Sequence, residues 1–183
     1  LATIFIDFKL VLGITAVFHV FSNLSKIVLF KKGINKVIAI KLGIPAVLFV
    51  VLGAYLTQVI PLKEIELSMN LIILGLTLFL ISGAGKKIQQ TNFNLYTGGV
   101  ISGFLAGLIG TGGAIRGITL AAFGLEKDVF IATSALIDLG VDTSRAVVYI
   151  LQGYFLQEHL ILIPFLVVIA VVGSYLGKRI LAY

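Results

Sequence analysis

Residues 35–60 read NKVIAIKLGIPAVLFVVLGAYLTQVI, and beyond Lys41 nothing in the stretch is charged. About 20 consecutive apolar residues are enough for a helix to cross the hydrocarbon core of a bilayer. Four more stretches of this kind lie near 4–30, 66–84, 129–152 and 160–181, so the sequence predicts five crossings. Composition points the same way: 59% of the residues are hydrophobic and 12% charged, where a soluble domain runs near 45–50% and about 25%. The few charges fall in short clusters between the apolar runs instead of recurring around each helix. The fold class that follows is an all-α membrane protein, a polytopic helical bundle forming one transmembrane domain over 1–183, with the cell membrane as its location and lipid as its surroundings.

The same counts exclude other classes. With no cysteine, a disulfide framework, haem attachment and thiolate metal sites are all ruled out, and no cofactor or metal is predicted. The net charge of +6 belongs to cations flanking apolar runs, where lipid headgroups and the positive-inside rule account for it better than nucleic acid does. The chain opens on Leu1 and is apolar at once, without the basic start of a signal peptide, so it reads as a piece lacking an N-terminal portion.

Between the third and fourth stretches, Tyr96–Gly124 holds nine of the chain's 20 glycines, too many for an ordinary straight span. Loop charge predicts its path. Lys31, Lys32 and Lys36 mark one loop, Lys86 and Lys87 another, and Lys178 with Arg179 the C-terminal end. Lys63, Glu64 and Glu66, and then Glu158 with His159, mark the poorer loops. The basic clusters share one side only if 96–124 enters and leaves by the same face as a re-entrant hairpin, a glycine-rich broken helix.

An internal repeat predicts the same path. His19, Asn23, Ser25 and Lys26 match Asp138, Asp142, Ser144 and Arg145 at one constant offset; Pro45 matches Pro164; and Gly53-Ala54-Tyr55-Leu56 matches Gly173-Ser174-Tyr175-Leu176 after a one-residue slip. The division is repeat one over 4–60, a linking span over 66–84 and repeat two over 96–181. The intervening crossings give the copies opposite orientation, and inverted repeats with broken helices are a transporter architecture.

The run Gly103-Phe104-Leu105-Ala106-Gly107-Leu108-Ile109-Gly110-Thr111-Gly112-Gly113, followed by Ala132-Thr133-Ser134-Ala135-Leu136, resembles the repeated signature of the TauE/SafE sulfite-exporter family of membrane permeases. The resemblance covers about 96–181 well and 4–60 more loosely. It implies a secondary transporter of small anions such as sulfite, sulfonates or related organosulfur and carboxylate anions, built of two homologous halves. Two departures stand out. Family members open with a first copy of the glycine motif, which does not precede residue 4 here. The family's third glycine is Ala114 and its following proline is absent, with Arg116 and Gly117 nearby.

The polar residues fit that expectation chemically. A Gly110-Thr111-Gly112-Gly113 break frees backbone N–H groups in a dry interior and aims a half-helix N-terminus at whatever occupies the gap, which suits an oxyanion. Arg116, one turn on, can add a bidentate cationic contact. The alternative for this region is close helix packing, and Gly99, Gly103 and Gly107 form a small-xxx-small ladder of that kind. Asp138, Asp142 and Arg145 share one helical face within a span, where ionised groups are costly enough to suggest function. Asp142 and Arg145 can pair structurally at i, i+3, whereas Asp138 has no sequence-local cation and is the candidate for proton coupling. His19 and Asn23 hold the equivalent places in repeat one; the histidine reads either as a packing residue or as a switch titrating near neutrality. Lys26 either snorkels to the interface or contacts substrate. Thr133 and Ser134 either bond an oxyanion or cap backbone.

Two other classes stay in view. An intramembrane enzyme would draw on His19, Ser134, Asp138 and Asp142, but neither HExxH nor GxSxG occurs, and the reading is not an enzyme. A non-transporting membrane subunit would pack through the glycine ladder. With half of the site expected outside 1–183, a second copy of the chain in a homo-oligomer is one way to complete it.

Overall fold

A computed structural model of the chain describes residues 7–30, 33–83 and 88–181. Side-chain caps supplied by the sequence open three of the described helices. Asp7 accepts from the N–H of Lys9 and Leu10 at 2.9 and 3.3 Å and opens α1, Phe8–Leu29. Asn35 accepts from Ile38 N–H at 3.1 Å and opens α2, Lys36–Leu56. Pro61 precedes α3, Leu62–Ile81. Thr91 accepts from Asn94 N–H at 3.2 Å and opens α4, Asn92–Ile109. Then follow α5, Gly113–Ala121, and α6, Lys127–Leu151. A 3-10 turn at Gln157–Leu162 leads into α7, Ile163–Leu181.

Helices therefore stand at all five predicted stretches, and the glycine-rich region is two helices rather than one. Among the described residues, three elements are long and apolar enough to cross a membrane: Phe8–Leu29, Lys36–Leu56 and the continuous helical stretch Gln157–Leu181. α6 has the length, 25 residues, but carries Asp138, Asp142 and Arg145 along its course.

The contacts give the helices their directions. Asn35 at the start of α2 meets Thr133 near the start of α6, and Ala54 near the end of α2 meets Gln152 just past the end of α6, so these two run parallel. Ser174 bonds Ser22 O and Lys178 bonds Leu29 O, so α7 runs parallel to α1. Gly13 lies against Tyr154 and Asn23 against Asp142, which makes α1 and α6 antiparallel. α1 and α6, which carry the polar residues that match in sequence, thus run in opposite directions. Their local bonds also correspond: Ser25 Oγ donates to Phe21 O and Ser144 Oγ to Gly140 O, both at 2.8 Å and both four residues back.

α4 runs beside α2 with the glycine ladder turned into it. A Cβ on Gly99 would strike Leu42 O, one on Gly103 would strike Ala46 O, and one on Gly107 would strike Val50 O. The ladder is a packing surface, and α2 answers it with Ala46, Val50, Gly53 and Ala54, all buried. This close approach also buries Leu42, Leu95, Ala106, Ile137 and Val141 in one apolar cluster. Lys178 donates to Leu29 O at 2.7 Å and its ammonium lies 5.5 Å from the Phe30 ring, neutralising the C-terminal end of α1. The C-terminal basic pair is thereby brought to the end of the bundle where α2 begins. Lys31, Lys32, Lys86 and Lys87, on which the loop-charge reading also depends, lie outside the described residues.

Candidate functional site

The break in the glycine region sits at Gly110, whose φ of 77° is the left-handed conformation that lets α4 end within one residue. Gly112 then opens α5 without any side-chain cap, so the first N–H groups of α5 are left for another partner. A Cβ at Gly112 would collide with Ser102 O, and one at Gly98 would lie 2.8 Å from Thr119 Cγ2. These two contacts show α5 folding back along α4. The pair is a helical hairpin that leaves the end where α2 starts and delivers the chain to α6 at that same end.

The hairpin tip closes one side of a cavity of about 290 Å³ whose other walls are α1 and α6. At about 30 Å³ per water in the liquid, the cavity has room for a small oxyanion with several waters. Gly110, Thr111, Gly112 and Gly113 line it from the tip, and Arg116 from the first turn of α5. His19, Asn23 and Lys26 line it from α1; Asp138, Asp142 and Arg145 line it from α6. Eleven of the thirteen residues singled out from sequence come together here. A larger groove of about 530 Å³ between α3 and the hairpin is lined by Leu76, Phe79, Thr97 and Thr119 among others, with no charged side chain, and offers an anion nothing but a few amides and hydroxyls.

Thr133 and Ser134, read from sequence as either oxyanion contacts or backbone caps, are not among the residues lining the cavity. Thr133 is fully buried and its hydroxyl accepts from Asn35 N–H at 3.0 Å, steadying the residue that caps α2. Ser134 Oγ donates to Asp138 Oδ2 at 3.2 Å and so acts on the site through that carboxylate. Thr133→Val, which keeps the shape and removes the acceptor, is expected to lower stability by about 1–3 kcal/mol through the orphaned N–H. Anion binding should be unaffected, and denaturant unfolding alongside a binding assay checks both.

The cavity's charges are paired in two sets. In the first, Asn23 Nδ2 donates to Asp142 Oδ2 at 2.7 Å, Lys26 Nζ donates to Asn23 Oδ1 at 3.1 Å, and Arg145 Nε stands 2.8 Å from Asp142 Oδ1. The Arg145–Asp142 approach is a charge contact whose angle is not that of a hydrogen bond. Arg145 Nη1 reaches Ala106 O and Gly110 O at 3.4 Å, tying the hairpin tip to α6. Lys26 is consequently held inward rather than stretched along the bundle surface. In the second set Arg116 Nη2 pairs with Asp138 Oδ1. The cation absent from the sequence neighbourhood of Asp138 comes from α5. Arg116 is 5% exposed, yet its Nε and Nη1 are buried without any hydrogen-bond partner.

Sequence reasoning missed Tyr149, whose hydroxyl donates to Gly107 O and whose ring stacks on Tyr154 with centroids 5.5 Å apart. A phenol within an apolar span signals the need for such a partner. It also missed Ala106 and Val141, which line the cavity and carry no chemical signal.

The arrangement is a small, partly open cavity with a helix N-terminus, three cations and two carboxylates on its wall, and two unpartnered guanidinium nitrogens on Arg116. No curated protein and no solved structure matches the chain. The family model described as Sulfite exporter TauE/SafE matches residues 1–183, the whole length given. The glycine break, the membrane-length helices and this match together establish that the chain belongs to the TauE/SafE sulfite exporter family of membrane transport proteins.

Proposed function

We propose that the protein is a secondary transporter of a small oxyanion, with sulfite, sulfonates and small carboxylates as the substrate class, and that the anion sits at the hairpin tip against Arg116. The observation that carries this reading is the guanidinium itself. A buried donor without a partner costs about 1–3 kcal/mol, more when charged, and Arg116 leaves two nitrogens in that condition beside a polar cavity. An oxyanion laid along either edge of the guanidinium gives one of them a partner and meets the uncapped start of α5 at the same time. His19, Asn23, Lys26, Asp142 and Arg145 form the rest of the wall. The antiparallel run of α1 and α6 supports an inverted repeat rocking about the cavity as the means of alternating access, with the hairpin re-entering from the basic side.

Reconstitution into liposomes tests it. Saturable uptake is expected for at least one of sulfite, a sulfonate or a small carboxylate, and the same anion should raise the melting temperature of the detergent-purified protein. Arg116→Ala is expected to abolish both the flux and the anion-dependent shift while still unfolding cooperatively. Absence of saturable flux across the panel would sink the proposal.

A further inference from the structure

We propose that Asp138 is a tethered counter-anion of Arg116, displaced by a divalent oxyanion and taking up one proton when it is displaced. The inference rests on the anion-carrier reading and adds the substrate's charge and the coupled proton.

The two carboxylates of the cavity are held very differently. Asp142 is fixed from two helices, by Asn23 at 2.7 Å and Arg145 at 2.8 Å, and each of those partners is itself anchored, Asn23 by Lys26 and Arg145 by the carbonyls of Ala106 and Gly110. Asp138 has one hydroxyl, Ser134, and one cation, Arg116. Its side chain is 17% exposed where that of Arg116 is 6%. Arg116 in turn gives Asp138 a single nitrogen and keeps two in reserve.

A guanidinium presents its donors as a rigid fork that matches one oxyanion edge-on. An anion that uses the fork together with the start of α5 competes with Asp138 for Nη2. Once displaced, Asp138 has lost its cation and gained a negative neighbour, and both changes favour its protonated form. The charged and titratable groups around it are His19 and Lys26 from α1, Arg116 from α5, and Asp142 and Arg145 from α6 itself; α2 and α4 bring none to the cavity wall. With His19 neutral, three cations and two carboxylates leave the wall one positive charge in excess. A monoanion cancels that charge unaided, whereas a dianion brings the loaded chamber to neutrality, the least costly state away from water, only with one proton on Asp138.

Sulfate is a suitable probe because it does not itself titrate near neutral pH, and methanesulfonate is its monovalent counterpart. Binding of each to the purified full chain should be measured between about pH 6 and pH 8, with proton uptake followed in weak buffer. The expected result is one proton taken up per sulfate bound and none per methanesulfonate, with sulfate affinity falling about tenfold per pH unit above the apparent pKa. Asp138→Asn should abolish the uptake, flatten the pH dependence and tighten sulfate binding at neutral pH by about tenfold or more. Saturable binding without proton uptake, or an Asp138→Asn protein that still takes up the proton, overturns this proposal and leaves the anion-carrier reading standing. No binding of either anion overturns this proposal, and the liposome panel then decides the anion-carrier reading separately. The proton measurement on the unmodified protein decides the matter even if the variant does not fold.

Discussion

Arg145→Ala is expected to destabilise the protein by about 3–5 kcal/mol, the cost of leaving one partner of a buried ion pair behind. Arg145 is 2% exposed, and Asp142, which it faces at 2.8 Å, is nearly as enclosed. Truncation strands that carboxylate with only the Asn23 amide for company. It also cuts the two contacts from Nη1 to Ala106 O and Gly110 O that tie the hairpin tip to α6. The double variant Arg145→Ala/Asp142→Leu removes the stranded charge and should recover much of the loss, since a buried pair is worth far less than the penalty for breaking it. Denaturant unfolding in detergent of both variants checks this. A single variant within about 1 kcal/mol of the parent would mean that Asp142 is well solvated, and the account of this pair as a buried lock would fall.

The second large effect should come from Gly103→Val. A Cβ at this position would overlap Ala46 O and lie 2.6 Å from Ala46 Cα, where ordinary contact begins at 3.4 Å. Both obstacles are backbone, which cannot swing aside, so α4 and α2 would have to part by close to an ångström along their whole contact. Overpacking of this kind costs about 1–3 kcal/mol and occasionally more, and valine adds two methyls to the first clash. Apolar helices in lipid gain nothing from the hydrophobic effect by touching each other, so close packing is what holds this pair. Gly75→Val on α3 is the control, because nothing lies within 4 Å of a Cβ there. Equal melting temperatures for the two variants would show that the ladder is not a load-carrying contact.

Much of the architecture was legible in sequence because lipid imposes a simple rule on length and polarity. Helices at 8–29, 36–56 and 163–181 fall within the predicted stretches, those at 62–81 and 127–151 start four and two residues before theirs, and the interruption at Gly110 is where glycine density predicted it. The polar residues of α1 and α6 could be chosen because a charge inside an apolar run stands out. What could not be read was which charge answers which. Arg116 and Asp138 lie on helices whose meeting depends on the hairpin folding back, and no local spacing encodes that. Asp142 and Arg145, three residues apart on one helix, were predictable for the opposite reason. For Thr133 and Ser134 the sequence left both alternatives open, because a hydroxyl pair looks alike whether it faces a cavity or a neighbouring helix cap.

Asn23 and Asp142 are the matched positions of the sequence repeat, 119 residues apart, and they bond to each other. A site that faces its own counterpart cannot be filled freely: two aspartates would set like charges at hydrogen-bond distance, and two asparagines would leave the midline uncharged. The chain uses one of each. The same imbalance recurs one turn away, where His19 answers Asp138. All the acidity of the chamber is therefore on α6, while α1 presents only amide, imidazole and ammonium. The chamber is thus electrically lopsided, with both of its carboxylates on the α6 side.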